Sequence, residues 1–418
     1  MTKNIVTVAI LGAGNRGREA YGQYILEHPE DIKVVAAAEL DEEKRKIFNK
    51  EHNIAEEYQF NSWEQLLDQR KLADGIIISI PDNMHAESAI RAMEKGYKIL
   101  LEKPIAPNLE DTLKVVRKAN ETSSKILVAH VLRYTNFYEE LKRLLKERII
   151  GDIRFVDHIE NIGFYHFAHG FVRGNWRNTD IAAPIILAKS CHDMDLICWL
   201  LEKKCIDLSS HASLEYFTSE NQPRGASNRC LACTVEVDCP YSARKIYLTK
   251  DTSWPVSVIT TDLSYEGRYK ALEEGPYGRC VYSCDNNVPE VQTVRMRFED
   301  NIEVNFALTA FSNEKNRTSK IFGTGGEIRA NFEYGIIEVY KFTKNSETIM
   351  VSNLAGGHNG GDSSLMNNFV RFLKGEIERD DLTTIEASLE SHIMGFSAEI
   401  ARREGIVVNL DKFRRSIF

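Results

Sequence analysis

Ile5-Val6-Thr7-Val8-Ala9-Ile10-Leu11-Gly12-Ala13-Gly14-Asn15-Arg16-Gly17 is the stretch that decides the fold. An apolar, β-branched run reads as a buried strand. It ends in Gly12-x-Gly14-x-x-Gly17, and a polar helix follows. Gly12 permits a tight turn, Gly14 permits close approach of a pyrophosphate, and Gly17 permits the helix to pack on the strand. The N–H groups and positive dipole of the helix start then face the phosphates. A second strand, Ile32-Lys33-Val34-Val35-Ala36-Ala37-Ala38, runs into Glu39, 22 positions after Gly17. A carboxylate at that distance suits a ribose 2′-hydroxyl. The alternative is a generic glycine turn before a helix. Glu39 repels a 2′-phosphate and Leu40 offers it nothing, so NAD is expected ahead of NADP. Lys44 and Arg45 are the nearby cations that bear on this choice.

The chain of 418 residues exceeds one ordinary core and suggests two or three domains. Apolar residues at 43% with 27% charged are globular in character. The net charge of −8 argues against nucleic acid or an anionic membrane as the main partner. No apolar run is long enough to span a bilayer. Met1-Thr2-Lys3-Asn4 leads into a core strand without signal-peptide character, so a cytoplasmic protein is expected. In that compartment the eight cysteines are thiols or metal ligands.

Strands and helices alternate to about residue 125, the mark of a doubly wound parallel α/β sheet. This predicts a dinucleotide-binding domain over 1–125. The remainder, 126–418, is expected to be an α/β substrate-binding and oligomerisation domain with an open, mainly antiparallel sheet and a cysteine-rich insertion at about 225–285. Val291–Phe298 and Ile302–Phe311 read as a hairpin around Glu299-Asp300-Asn301. Gly163–Asp180 reads as a loop, Ala182–Leu201 as a helix, and residues 206–350 as extended runs. Gly356-Gly357-His358-Asn359-Gly360-Gly361-Asp362 precedes a closing pair of helices.

Ligands of open α/β sheets lie outside the carboxyl ends of the strands. Ser79-Ile80-Pro81-Asp82-Asn83, with His85, follows the strand that begins at Gly75. Glu102-Lys103-Pro104 follows Lys98–Leu101. Lys103 is therefore placed where a nicotinamide would lie, and a lysine there can exchange a proton with a substrate hydroxyl. An isolated lysine is otherwise a solvated surface group.

The glycine triplet, the acid closing the second strand and Glu102-Lys103-Pro104 together resemble the Gfo/Idh/MocA family, named for glucose–fructose oxidoreductase and inositol dehydrogenase. The resemblance implies a Rossmann domain followed by the antiparallel-sheet domain. It implies hydride transfer between NAD(P) and a hydroxyl carbon of a sugar, cyclitol or sugar derivative, with Lys103 as the catalytic lysine. The expected cofactor contacts are Gly12, Ala13, Gly14, Asn15, Arg16, Gly17, Glu39, Ser79, Ile80, Pro81, Asn83, His85, Glu102 and Lys103. A homo-oligomer, dimer or tetramer, is also implied.

Lys189-Ser190-Cys191-His192-Asp193-Met194-Asp195 is similar to a second family segment, whose histidine and an acid four positions earlier face the substrate. His192 and Asp193 match, which implies His192 as a catalytic residue and Asp193 as a substrate contact. The preceding acid is replaced by Ala188, beside Lys189. If the segment is one helix, Lys189 stands near the His192 face and brings a positive group. Lys189 is therefore a candidate for an altered proton relay or an acidic substrate. The alternatives are a buried structural histidine and an exposed lysine. His169, Arg173 and Trp176 combine a ring for a sugar face with donors for an anion, and predict a substrate wall; the alternative is a surface loop with an anchoring tryptophan.

Cys230-x-x-Cys233 with Cys239, and Cys280 or Cys284 as the fourth thiol, has the spacing of a structural zinc site. The alternative is a set of reduced, unliganded thiols. Three readings of function follow: a carbohydrate or polyol dehydrogenase, an NAD-dependent glycosidase working by transient oxidation and elimination, and a non-catalytic NAD-binding protein.

Overall fold

The computed structural model describes residues 5–352, 357–377 and 382–417. Met1 to Asn4 and Gly356, named above, lie outside the described residues. The chain separates into two compact units. The first comprises Met1–Leu144, Cys191–Leu200 and Val351–Phe396. The second comprises Leu145–Ser190, Leu201–Met350 and Ser397–Phe418. Neither is contiguous: the helix bearing His192 and the closing glycine-rich segment return to the first unit.

The first unit is built on a six-stranded parallel sheet of β1 (Val6–Leu11), β2 (Ile32–Ala38), β3 (Gln59–Phe60), β4 (Gly75–Ile78), β5 (Lys98–Leu101) and β6 (Ile126–Val128). The strand order is β3-β2-β1-β4-β5-β6, a doubly wound pattern with its switch point between β1 and β4. β4 is buried along its whole length, as its unbroken apolar run requires when helices cover both faces. Ser62 caps the helix Trp63–Asp68 by accepting the Gln65 N–H, and Gly96 adopts φ +73° just beyond the helix His85–Glu94.

The second unit carries nine strands: β7 (Ile153–Asn161), β8 (Cys205–Ser213), β9 (Val291–Phe298), β10 (Ile302–Thr309), β11 (Asn316–Gly323), β12 (Gly326–Asn331), β13 (Ile336–Lys341), β14 (Glu347–Met350) and β15 (Val408–Asn409). Their order is β14-β13-β12-β11-β7-β10-β9-β8-β15. Every pairing is antiparallel except β7 with β10. The β9–β10 hairpin turns at Asp300 and Asn301, both with positive φ. Along β10, Ile302, Val304, Phe306 and Leu308 face the core and their neighbours do not.

Four expectations are corrected. The stretch predicted as a loop over Gly163–Asp180 is partly helical, with an α-turn at Phe164–Phe167 running into a π-helix at Ala168–Arg173. Ala182–Leu201 is two helices, Ile185–Ala188 and Cys191–Leu201, broken at Lys189-Ser190. Residues 219–278 form short helices rather than extended runs, and Lys245 lies in the helix Ala243–Tyr247. Among the described residues the closing helices number three: Gly361–Lys374, Ile385–Glu404 and Leu410–Ile417. Short apolar runs in 219–278 carry no period that separates helix from strand.

Candidate active site

The glycine turn has the shape its sequence requires. Gly12 sits at φ +89°, and a Cβ there would lie 2.8 Å from the Ser79 carbonyl oxygen. A Cβ on Gly17 would lie 1.9 Å from the Gly12 carbonyl oxygen. Gly14 is different: a Cβ there would meet nothing within 4 Å. Gly12 and Gly17 thus serve close packing, whereas Gly14 borders open space at the start of the helix Asn15–Gly22. Ser79 Oγ donates to the carbonyls of Leu11 and Gly12 and joins β4 to the turn.

Glu39 stands at the end of β2. Its carboxylate accepts the Ala13 N–H at 2.7 Å and the Asp41 N–H at 2.9 Å. It is thereby held beside the glycine turn. Leu40 is 81% exposed. Arg45 Nη1 donates to the carbonyls of Glu39 and Leu40, and Lys44 Nζ lies 3.7 Å from Asp41.

Arg16 projects from the turn onto the Glu102-Lys103-Pro104 segment. Its Nε donates to Glu102 Oε1 at 2.6 Å, and its Nη1 and Nη2 grip Asp362 at 2.9 and 2.7 Å. The Tyr21 hydroxyl donates to the same Glu102 oxygen, and the Lys103 N–H donates to Glu102 Oε2. Burial pushes the Glu102 carboxyl up. The Arg16 guanidinium, the Tyr21 hydroxyl and Lys103 outweigh burial and hold it below the usual carboxylate range. Asp362 behaves alike: Arg16 and His358 overcome burial and hold it far below that range. Glu102 is therefore an anchored anion beneath Lys103.

His85 is buried with Nδ1 2.7 Å from the Pro104 carbonyl and Nε2 2.9 Å from the Ile80 carbonyl. Its ring braces the end of β4 against the turn after Lys103. Arg16 and His85, both expected at the cofactor, thus also bond within the protein. Asn15 Nδ2 donates to Glu19 within the following helix.

His192 lies in the first unit with Lys103. Its ring is 5.8 Å from His130, edge-on, and 5.9 Å from His358. Asp195, three positions on, accepts two bonds from Arg133 at 2.6 and 2.5 Å. Burial pushes the Cys191 thiol up to about 12, with Lys103 opposing the shift. Sequence reasoning missed His130, Arg133, His358, Asp362 and His392. His130 and Arg133 directly follow β6, so their position at a carboxyl strand end was the available signal.

In the second unit, Lys189 Nζ lies 3.2 Å from Glu160, a fully buried carboxylate that Arg317 also approaches at 2.7 Å. Glu160 and Arg317 are cross-strand partners on β7 and β11. The charge change expected at Lys189 is therefore locally countered by an acid from β7. His169 is buried, with Nδ1 2.9 Å from the Tyr247 hydroxyl and its ring stacked on Tyr277 at 4.7 Å. Arg173 is wholly buried and donates to the carbonyls of Arg279 and Tyr241 and towards Cys230 Sγ. These two side chains are packing and bonding elements of the unit's interior. Trp176 is 39% exposed.

The zinc expectation finds no support among the described residues. Cys230, Cys233, Cys239 and Cys280 line one cavity of about 230 Å³. Yet among the described residues no group of three or more His, Cys, Asp or Glu side chains is placed to hold a metal ion. Cys230 Sγ is turned to the Arg279 carbonyl, and the alternative ligand Cys284 donates to the Cys280 carbonyl. Burial pushes the Cys239, Cys280 and Cys284 thiols up, towards the protonated form. Among the described residues no helix is long and apolar enough to cross a membrane.

Comparisons with known proteins agree with this geometry. The profile described as "Oxidoreductase family, NAD-binding Rossmann fold" matches residues 6–130. A protein of Amycolatopsis mediterranei (strain S699), provisionally named a UDP-kanosamine synthase oxidoreductase subunit, is 30% identical over 297 residues. The match covers 68% of this chain and 77% of that protein. The fold is shared with a levoglucosan dehydrogenase solved with NADH and levoglucosan, at a TM-score of 0.72 and 15% identity over 97% of this chain and 100% of the other. It is shared equally with the WlbA dehydrogenase of Chromobacterium violaceum solved with NADH and UDP-GlcNAcA, at 0.69 and 16% over 98% and 97%. On these matches the chain belongs to the Gfo/Idh/MocA family of NAD-binding Rossmann-fold oxidoreductases.

Proposed function

We propose that the chain is an NAD-dependent dehydrogenase acting on a hydroxyl-bearing carbon of a sugar, cyclitol or sugar derivative. The observation that carries this reading is the clamp from Arg16 of the glycine turn to Glu102, which fixes Lys103 beside the dinucleotide turn. The residues fit the cofactor. Space beside Gly14 suits a pyrophosphate, and Glu39 stands where a ribose hydroxyl can donate to it. The choice of NAD rests on the same corner. Arg45 Nη1 donates to backbone carbonyls, Lys44 lies by Asp41 and Leu40 is exposed, so a 2′-phosphate would meet the Glu39 carboxylate first. The structural relatives carry NADH with levoglucosan or with UDP-GlcNAcA, and so favour a carbohydrate substrate.

When bound, a nicotinamide supplies the hydride acceptor or donor. The chain's own residues handle position and proton. Lys103 takes the hydroxyl proton at Nζ, or returns it in the reverse direction, and the anchored Glu102 holds the lysine backbone in place. His192, in the same unit, serves as a second proton carrier. Asp193, which begins the same helix turn, is fully buried and supports that turn from within.

The test is a panel of sugars, inositols and uronic acids with NAD or NADP, read by absorbance of the reduced nicotinamide. Turnover of at least one polyol with NAD is expected, and Lys103→Met should lower kcat about 10²-fold or more with little change in NAD affinity. Wild-type turnover by Lys103→Met would overturn the reading. Consumption of a glycoside with no net NADH would replace it with redox-assisted hydrolysis.

A further inference from the structure

His130 stands just past β6 in the first unit and is fully buried. Among the described residues neither of its ring nitrogens has a hydrogen-bond partner. Two other buried histidines of this unit, His85 and His392, have a polar atom at both nitrogens, whereas His52, like His130, has a buried nitrogen without one. His85 spans two carbonyls, while His392 accepts the Ile105 N–H and faces the Ser388 carbonyl. A structural histidine is satisfied in this way, since a buried polar atom left alone is costly. His130 is not satisfied, and its surroundings are polar. Asp195 Oδ1 is 3.8 Å from its Nε2, the His192 and His392 rings are 5.8 and 6.0 Å away, and Lys103, Arg133 and Glu102 act on it electrostatically.

We propose that His130 is a proton-relay residue between Lys103 and His192. This rests on the reading of Lys103 as the group that takes the substrate proton. The proton leaves Lys103 Nζ and binds one nitrogen of His130. The proton on the other nitrogen leaves for the His192 ring, so His130 ends as the opposite neutral tautomer and Lys103 is again a free amine. No electrons move and no co-reactant is needed. The His130 and His192 rings, 5.8 Å apart and edge-on, are near enough for ring rotation to bring their nitrogens together. Burial, with Arg133 and Lys103 beside it, holds the His130 imidazole well below the usual histidine range. A neutral ring carries one donor and one acceptor nitrogen, the form a relay requires. His130 acts through Lys103 and is a positioning and relay residue, not a group that touches substrate.

Three variants test it in the full-length protein with NAD and the polyol that turns over fastest in the panel. His130→Phe keeps a flat buried ring and removes both nitrogens. It should lower kcat about 10²-fold while leaving the polyol KM and NAD affinity within about 3-fold. His130→Ala should lose as much, and added imidazole should restore at least about 10-fold of it. Wild-type kcat in His130→Phe, or no imidazole rescue in a folded His130→Ala, would overturn the relay. A second readout needs no substrate: ¹⁵N-histidine NMR of the protein alone. Lys103→Met should move the His130 ring resonances, and His130→Phe should shift the titration midpoint of His192. Unmoved resonances would overturn the relay by themselves. If no polyol turned over, the dehydrogenase reading would fall, and the NMR result alone would decide the relay.

Discussion

Arg16 Nε and Glu102 Oε1 are 2.6 Å apart across 86 positions of sequence. The same guanidinium holds Asp362 with its two remaining nitrogens. One side chain therefore joins the glycine turn, the segment carrying Lys103 and the start of the helix Gly361–Lys374. Two buried carboxylates share one cation, and Tyr21 supplies a further donor.

Removing that cation should be expensive. In Arg16→Met both Glu102 and Asp362 lose their principal partner while remaining buried, and breaking a buried pair from one side costs about 3–5 kcal/mol. Urea unfolding should show a loss of that order. Arg16→Lys should recover only part, because a single ammonium cannot present the fork that grips Asp362 while reaching Glu102. A loss under about 1 kcal/mol in Arg16→Met would contradict the clamp, since that is the range of an exposed pair.

The three glycines of the turn should separate in their effects. A Cβ at Gly17 would sit 1.9 Å from a backbone oxygen, so Gly17→Ala must displace the helix from the strand. Overpacking of this kind costs about 1–3 kcal/mol. Gly14→Val adds a Cβ that meets no atom of the protein within 4 Å. It should leave the melting temperature nearly unchanged and weaken NAD binding by more than about 10-fold, or about 1.4 kcal/mol. Calorimetric titration with NAD alongside thermal melts checks both. Equal NAD affinity in wild type and Gly14→Val would show that the open space beside Gly14 is not the phosphate site.

These contrasts show where sequence was a sufficient guide. Strands β1, β2, β4 and β5, the turn glycines and Glu102-Lys103-Pro104 lie within short segments whose periodicity and turn chemistry are local, and they are legible; the two-residue β3 is too short to carry a period. The partners of Arg16 were not, because Asp362 is 346 positions away and only the folded topology brings it in. The helical register read for Lys189 does not hold for a related reason. Its helical register assumed continuity through Ser190, and its counter-ion Glu160 sits on another element. Arg173 has the composition of an anion ligand, but burial converts it into a donor for backbone carbonyls. The cysteine spacing is suggestive, yet spacing does not fix where the thiols point.

Arg173 offers a direct check on that conversion. Its guanidinium donates to the Arg279 and Tyr241 carbonyls inside the second unit. Hydrogen bonds from a charged donor contribute about 1.5–3 kcal/mol each, and the acceptors would be left alone in the interior. Arg173→Met should therefore lose at least about 2 kcal/mol in urea unfolding, with NAD affinity unchanged. A variant of wild-type stability but raised polyol KM would return Arg173 to the role of a substrate contact.

Acid should destabilise the protein through its buried histidines before its carboxylates titrate. His392 is the clearest case. The Ile105 N–H donates to Nε2, so that nitrogen carries the lone pair, and Nδ1–H donates to the Ser388 carbonyl. Burial, with His130 nearby, depresses the ring to about 3, against the partial opposition of Ser388 and Asp195. In the unfolded chain the same ring titrates near about 6.5. Below that value the unfolded state binds a proton that the folded state refuses. The contribution is therefore complete above about pH 6.5 and is lost progressively as pH falls towards the folded value. One such group gives a slope of about 1.4 kcal/mol per pH unit once the unfolded histidine is protonated. His392→Gln keeps an acceptor and a donor but cannot titrate. Urea unfolding at steps between about pH 5 and 6.5 should show the variant's stability falling less steeply than that of the wild type, by close to one proton. Identical slopes would mean that His392 takes up its proton in the folded state, and that the hydrogen bonds to Ile105 and Ser388 do not fix its tautomer.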